Sequence, residues 1–551
     1  MSARAFRRAA GASRFCLVLA VAACGSGAHS EAGRAAANVR HDALPPPEAG
    51  APRPGKGVAW RELDEAKIFA EARATGRFVL LDGAAEWCHW CHVMEATTYH
   101  DAAVIRRLDA AFIAVKVDVD ARPDVEARYH AYGWPATVLF SPEGLELGKY
   151  QGYLPPAELL TILDKVQSAR TIAPEPSPVV YAGARTRSER EAFVARADAA
   201  LRRYYDAKEG GFGTFQKFPI GVDNEWWLRK ARRTGPADAA ARAEIAFTLR
   251  AQAALIDPVF GGIYQYSVGG TWTEPHYEKL GVMQAQALDN YAEAYALLGD
   301  PGFRAHAEAM HRFAEEMFRG KEGGFFCTQD ADLHAHDPSR PFLDGHAYYA
   351  LPRSERLARG IPRIDTHEYG RENGLFVQAY LRYAAAFGDA HAVTEAARAM
   401  DRFVRTHAAP DGGFLHDAAE ARRGGLHLAD QVYPAAAMVA LYRATRDARW
   451  LEGARASASL LQTRFLAPDG GFYGTTEDTH ASGVFANRQK PVDENIAAAR
   501  MLSALCREPG QGAFRELALR TIDALSNDAV LADRGRILGG LLLALDEAPE
   551  P

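Results

Sequence analysis

Between residues 57 and 171 the apolar positions change period several times. Residues 60–74 repeat at helical spacing, Phe78-Val79-Leu80-Leu81 is an apolar run of strand length, and the segment from Cys88 onward returns to helical spacing. Residues 113–117 predict a second strand and 136–140 a third. Ser141-Pro142-Glu143-Gly144 turns into a fourth strand near 147–151, and a helix follows Pro155-Pro156. After the break Ala173-Pro174-Glu175-Pro176-Ser177-Pro178 the pattern becomes a long helical one. Domains over 57–171 and 187–548, joined by a linker at 172–186, follow from these shifts.

The helical stretch carries an internal repeat. Gly210-Gly211-Phe212-Gly213, Gly261-Gly262-Ile263-Tyr264, Gly323-Gly324-Phe325-Phe326, Gly412-Gly413-Phe414-Leu415 and Gly470-Gly471-Phe472-Tyr473 recur between Ala- and Leu-rich segments. Such recurrence means stacked supersecondary units. Paired glycines end one helix and allow a tight loop, and the apolar residue after them plugs the loop into the core. Five such loops predict helical hairpins closing into an all-α six-hairpin toroid, with an open helical solenoid as the alternative.

The N-terminus adds a compartment. Arg4, Arg7, Arg8 and Arg14 precede an apolar run over 15–23, and small residues stop at Cys24, the layout of a secretory signal over 1–23. The run is too short to span a bilayer as a helix. Val21-Ala22-Ala23-Cys24-Gly25 resembles a bacterial lipobox, in which Cys24 is acylated; a plain signal peptide is the alternative. Residues 24–56, with Pro45-Pro46-Pro47 and Pro52-Arg53-Pro54, read as a tether. These features predict an exported protein in the bacterial cell envelope, on the periplasmic side, held to the membrane through a lipid anchor alone. A net charge of -6 without a long basic run leaves no electrostatic footprint for nucleic acid.

Six cysteines are few for an exported chain of this length. Cys16 and Cys24 belong to the leader or its end. Cys327 and Cys506 stand alone and read as small buried hydrophobes, with a bridge between them as the alternative. The one close pair is Cys88-His89-Trp90-Cys91. At the start of a helix its first sulfur lies beside free backbone N–H groups and the positive end of the dipole, which favours thiolate. Cys88 is therefore the attacking thiol and Cys91 the resolving one. Asp82, if buried nearby, can relay the proton Cys91 must lose, with Lys116 holding its charge in check. Pro135 lacks an N–H and can present substrate backbone to the sulfurs. Trp87, His89 and Trp90 modulate the pair, and a cationic His89 stabilises the thiolate further. Two rival readings share the motif: Cys88-His89-Trp90-Cys91-His92 satisfies a c-type haem signature, and Cys88, Cys91, His89 and His92 are suitable metal ligands.

Asp82, Glu86-Trp87, the cysteine pair, Lys116 and Gly133-Trp134-Pro135-Ala136-Thr137 together resemble the thioredoxin pattern, which implies an α/β thioredoxin-like fold and a cis peptide at Pro135. Cys88 through Glu95, Lys217-Phe218-Pro219 after the first glycine pair, Pro275-His276-Tyr277-Glu278-Lys279 and Gln329-Asp330-Ala331-Asp332 resemble the family of spermatogenesis-associated protein 20. That resemblance implies a thioredoxin-like domain followed by an (α/α)6 toroid similar to sugar epimerases and glycosidases. The chain departs from the family at Val282-Met283-Gln284-Ala285, where an acid is lost, and at Tyr369-Gly370-Arg371-Glu372-Asn373. His276, Glu278, Asp330, Asp332, Asp365, Asp430, Arg488, Asp493 and Asn495 are the polar candidates for a toroid ligand site, each with a loop or helix-cap role as its alternative. Trp226-Trp227 and Trp272 read as core. The expectation is a thiol-disulfide oxidoreductase acting on a protein disulfide or dithiol partner, without a cofactor or bound metal, fused to a toroid that binds an unknown ligand or partner. The alternatives are a carbohydrate-active enzyme with a thioredoxin-like appendage, its toroid holding a carbohydrate ligand, and a nonenzymatic redox-sensing assembly.

Overall fold

Helical periodicity begins at residue 60, but the first helix starts later. In the computed structural model, which describes residues 57–550 apart from 234 and 419–424, α1 (Glu65–Thr75) is capped by the Asp64 carboxylate, which accepts the Lys67 N–H. Arg61 instead forms a parallel bridge to Val115. The leader, Cys24 and the tether lie outside the described residues. Among the described residues no helix is long and apolar enough to cross a membrane.

The next elements are β1 (Phe78–Ala84), α2 (His89–Thr97), α3 (Ala102–Ala111), β2 (Phe112–Asp118), α4 (Pro123–Tyr129), β3 (Ala136–Phe140), β4 (Glu146–Gln151) and α5 (Pro156–Lys165). The strands lie in the order β2-β1-β3-β4. The β1/β2 pair is parallel and the other two are antiparallel. Two helices were not legible in the pattern. Asp101 caps α3 by accepting from Ala103 and Val104, and α4 opens with a proline in its first turn. On β1, Leu80 points into a core with Val93, Met94 and Leu159, while Val79 and Leu81 point into another with Ile68, Phe69 and Phe140. Both faces are covered, so the strand reads as a continuous apolar run instead of an alternating one.

The rest of the chain is helical: α6 (Arg187–Arg202), α7 (Gly221–Ala231), α8 (Pro236–Gln252), α9 (Gly281–Leu298), α10 (Pro301–Phe313), α11 (Gly345–Tyr349), α12 (Arg353–Arg359), α13 (Gly370–Phe387), α14 (Ala390–His407), α15 (Ala429–Thr445), α16 (Ala448–Leu460), α17 (Val492–Leu505), α18 (Arg515–Leu525), α19 (Asp528–Arg534) and α20 (Gly539–Asp546). Helices α7, α9, α13, α15, α17 and α20 pack in sequence, and α20 returns to α7. This inner ring is closed, so the structure is an (α/α)6 toroid and not an open solenoid. Helices α8, α10, α14, α16 and α18 each pack outside their predecessor, and α6 completes the last hairpin against α20. Short strands β5 (Tyr266–Ser267) and β6 (Pro275–His276) pair, and β7 (Lys279–Leu280), β8 (Thr328–Gln329) and β9 (Ile364–Asp365) form a three-stranded antiparallel sheet.

Each glycine-pair loop is a small closed hairpin. Phe212, Ile263, Phe325, Phe414 and Phe472 bridge back to Tyr205, Ile256, Arg319, Ala408 and Leu466, and all five plugs are buried. Gly261 and Gly262 both have φ of 77°, and a side chain on Gly262 would strike the Phe313 ring, so only glycine fits. Four of these loops are clamped by an amide from the first turn of an inner helix. Gln284, Asn373, Gln431 and Asn495 each accept the N–H and donate to the carbonyl of Ile263, Phe325, Phe414 and Phe472 respectively. Lys217, Lys279 and Lys490 brace three loops through an ion pair to Asp206, Asp257 and Asp469 and a bond to the first glycine's carbonyl. Asn495, a candidate for the toroid ligand site, is thus scaffold in this structure, as is Lys279. Trp226, Trp227 and Trp272 are buried core. Cys327 and Cys506 are buried free thiols, and no bridge joins them.

Candidate functional site

Cys88 ends the loop after β1 and caps α2: its sulfur accepts the Cys91 N–H at 3.1 Å, so the first turn's orphan donor points at the sulfur. Cys88 and Cys91 are joined in a disulfide. The Trp134-Pro135 peptide is cis, as the thioredoxin resemblance implies, and Pro135 leads directly into β3. Asp82 and Lys116 are register partners on β1 and β2. Asp82 is buried, accepts from the Tyr99 hydroxyl at 3.1 Å and lies 3.8 Å from the Lys116 ammonium. Burial pushes its carboxyl up to about 6, against the pull of Lys116. Lys116 also pairs with Glu95 at 2.7 Å, an acid that sequence reasoning did not assign.

The pair does not face open solvent. Cys88 is 3% and Cys91 6% exposed; Trp87, Trp90, Trp134 and the toroid's Leu280 pack around them. A cavity of about 250 Å³ lined by Cys91, His92, Lys116, His336 and Phe342 runs beside the second cysteine.

The toroid supplies the charges around the motif. The Asp332 carboxylate accepts from His89 Nδ1 at 2.9 Å, from His92 Nδ1 at 3.0 Å and from the Gly345 N–H at 2.9 Å. His92 Nε2 donates to the Glu86 carbonyl at 2.9 Å. Both partners of His92 are acceptors, so the ring carries two protons and is an imidazolium. Burial alone would lower its pKa, but the charges of Asp330 and Asp332 lift it to about 9. His89 is likewise lifted overall, its burial outweighed by the Asp332 bond and charge, while Asp332 is driven far below the carboxylate range despite its burial. Glu278 accepts the His89 N–H at 3.3 Å and is pushed by burial up to about 7. The Ala331 N–H donates to the Trp87 carbonyl at 3.3 Å, and Asp330 pairs with His336 at 3.2 Å. His276 stacks on Tyr266 at 4.1 Å, and burial lowers its pKa to about 3.

The remaining candidates scatter. Asp365 bonds His367, and Asp430 pairs with His416 at 2.9 Å and accepts the Gly370 N–H. Arg488 lies 3.9 Å over the Tyr473 ring, lining a cavity of about 460 Å³ with Arg122, Asp124 and Glu494. Asp493 pairs with Arg534 at 2.8 Å. Thus His276, Glu278, Asp330 and Asp332 converge on the cysteine motif, and the other four do not join them. Both ring nitrogens of His92 have acceptor partners, and His92, Asp330 and His336 each place a ligand atom within 4.8 Å of the others. One donor set that sequence reasoning missed is Asp120, Cys327 and Asp365, whose ligand atoms lie within 4.8 Å of one another; its members are too far apart in sequence to form a motif.

Residues 53–173 match a family model described as Thioredox_DsbH, protein of unknown function, DUF255. The human protein named spermatogenesis-associated protein 20 is 27% identical over 326 residues, 53% of this chain and 41% of that protein. The match therefore spans less than half of the relative's length. A Ralstonia nicotianae protein named thiol:disulfide interchange protein DsbD is 37% identical over 105 residues, 17% of each chain. The crystal structure of a D-mannose isomerase superposes with a TM-score of 0.50, covering 66% of this chain and 97% of that one at 11% identity, a likeness of fold alone. The chain is a homologue of the spermatogenesis-associated protein 20 proteins over about half its length, with a thioredoxin-like module followed by an (α/α)6 toroid.

Proposed function

We propose that the chain is a thiol-disulfide oxidoreductase in which Cys88 forms the mixed disulfide with a protein partner and Cys91 resolves it. The observation that carries this reading is the Cys88–Cys91 disulfide with its first sulfur at the N-cap of α2. On reduction the same N–H groups and the histidines held by Asp332 stabilise the Cys88 thiolate. Asp82 accepts or returns the proton of Cys91, and Lys116 balances its charge. The mature protein is exported and held by a lipid on Cys24. In the reduced protein Cys88 is expected to alkylate faster than Cys91 near neutral pH; equal rates, or faster labelling of Cys91, would count against the assignment.

In this reading the toroid is a docking and tuning body for the redox module, because Glu278 and Asp332 reach His89 and His92. A carbohydrate role for the toroid is the second reading, favoured by the 460 Å³ cavity where Tyr473, Arg488 and Glu494 combine an aromatic face with charged hydrogen-bonding groups. Oligosaccharide turnover that collapses in Glu494→Gln would promote it.

A further inference from the structure

Where the loop after β2 meets the toroid, two bodies contribute ligands to one point. Asp120 comes from the thioredoxin-like module, and from the toroid come Cys327, immediately before β8, and Asp365, the last residue of β9. The backbone holds the toroid pair in register: the Cys327 N–H donates to the Asp365 carbonyl at 3.1 Å, and the Gly281 N–H donates to the Cys327 carbonyl at 2.8 Å. Asp120 is fixed from two sides, its Oδ2 accepting Trp87 Nε1 at 2.6 Å and its carbonyl accepting His416 Nε2 at 2.8 Å. One carboxylate oxygen of Asp120, one of Asp365 and the Cys327 sulfur all lie within 4.8 Å of one another.

A second observation points to the same place. Tyr369 is 2% exposed, and its hydroxyl has no hydrogen-bond partner. After burial itself, Cys327, Asp365, Asp118 and Asp120 lie near enough to that hydroxyl to raise its pKa. The ring itself is fixed by stacking on His416 at 4.0 Å. A buried hydroxyl without an acceptor is costly to leave unmade. Asp118, Asp120, Asp365 and Glu372 also crowd this region, with His367, His416 and Arg371 as the cations in reach.

We propose that Asp120, Cys327 and Asp365 bind a borderline-soft divalent cation of the Zn²⁺ type across the junction of the two bodies, with the Tyr369 hydroxyl donating to a water that completes the shell. One thiolate with two carboxylates suits such an ion better than Mg²⁺ or Ca²⁺, which take oxygen alone. Binding forms the metal–sulfur bond as the Cys327 S–H bond breaks, and the proton leaves to solvent; no electron moves. A cavity of about 280 Å³ lined by Asp118, Tyr369, His416 and Asp417 lies on the Tyr369 side of this point. The ion pins the module to the toroid and fixes Asp120, whose Oδ2 accepts from the tryptophan one residue before Cys88. The proposal is independent of the thiol chemistry assigned above.

The test uses the full mature chain with the Cys88–Cys91 disulfide closed, stripped by a chelator and titrated with Zn²⁺ alone and with Co²⁺ alone. One equivalent retained per chain, a thiolate-to-cobalt charge-transfer band and protection of Cys327 from a small thiol reagent are expected. Cys327→Ala and Asp365→Asn should each weaken Zn²⁺ binding by more than about 100-fold, beyond the loss typical of outer-shell changes, with an unaltered far-UV spectrum. A Cys88→Ser/Cys91→Ser double variant should retain the ion. Absence of stoichiometric retention by the parent overturns the proposal, as does a cobalt complex without a thiolate band or retention that disappears in the double variant. If a ligand variant misfolds, the parent's band and Cys327 protection decide.

Discussion

Asp332 holds two histidines of the cysteine motif at once, and its effect on chemistry runs through His89. Burial works against a charged His89, but the Asp332 hydrogen bond and charge outweigh it and raise its pKa, which favours the imidazolium beside the Cys88 thiolate. Asp332→Asn removes that support. In the reduced protein Cys88 alkylation at pH 7 is expected to slow by about three- to tenfold; an unchanged rate would count against the tuning role. Asp82 gives a prediction of known sign. Its folded pKa of about 6 lies above the ordinary 3.8, so the stability it contributes is complete below about pH 3.8 and is lost as pH rises through 6. Asp82→Asn should therefore stabilise the protein at pH 7 by about 3 kcal/mol while slowing thiol-disulfide exchange by about tenfold or more. Denaturant titrations at pH 4 and pH 7 check the first part: a gain as large at pH 4 would contradict it. The pair, Asp82, Lys116 and Pro135 were legible because a local motif and two strand registers place them. Asp332 was listed but could not be aimed, since it lies more than two hundred residues away and no periodicity links it to His89.

At the scale of elements, the glycine-pair repeat carries most of the toroid's local logic. The glycines and their plugs were readable from sequence. The amides that clamp them were not, because each acts across a loop of different length and shares only its place in an inner helix's first turn. Asn495 bonds the Phe472 N–H at 2.7 Å, the Phe472 carbonyl at 2.9 Å and the Pro491 carbonyl at 2.8 Å. Removing all three strands buried backbone groups, so Asn495→Ala is expected to cost about 2–4 kcal/mol, read as a lowered melting temperature with the redox behaviour of Cys88–Cys91 unchanged. A melting temperature equal to the parent's would return Asn495 to the list of ligand residues. The strands were legible to within a few residues because each is a short apolar run between turn signals. The start of α1 was not, since Trp60 mimics helical spacing while Arg61 bridges to β2. Helix α4 was missed because seven residues are too few for a period to show.

For the whole molecule, the thioredoxin-like module sits on the toroid and its redox face is turned inward. Phe485, from the toroid, packs with Phe69 and Phe140 in one core of the module. Arg128 donates to the Asn487 carbonyl at 2.7 Å, His416 to the Asp120 carbonyl at 2.8 Å, and Leu280 covers the cysteines. The two folds could each be read from sequence, but their docking could not, because it rests on contacts between residues hundreds of positions apart. The most direct test is to equilibrate the full-length protein in glutathione buffers of graded potential, follow the Cys88–Cys91 pair by mass after alkylation, and add Cys91→Ser to trap the intermediate. The account predicts a single two-electron transition in the parent and a stable mixed disulfide on Cys88 in the variant. A pair that stays oxidised or reduced across the accessible range, or a variant that traps nothing on Cys88, would contradict it.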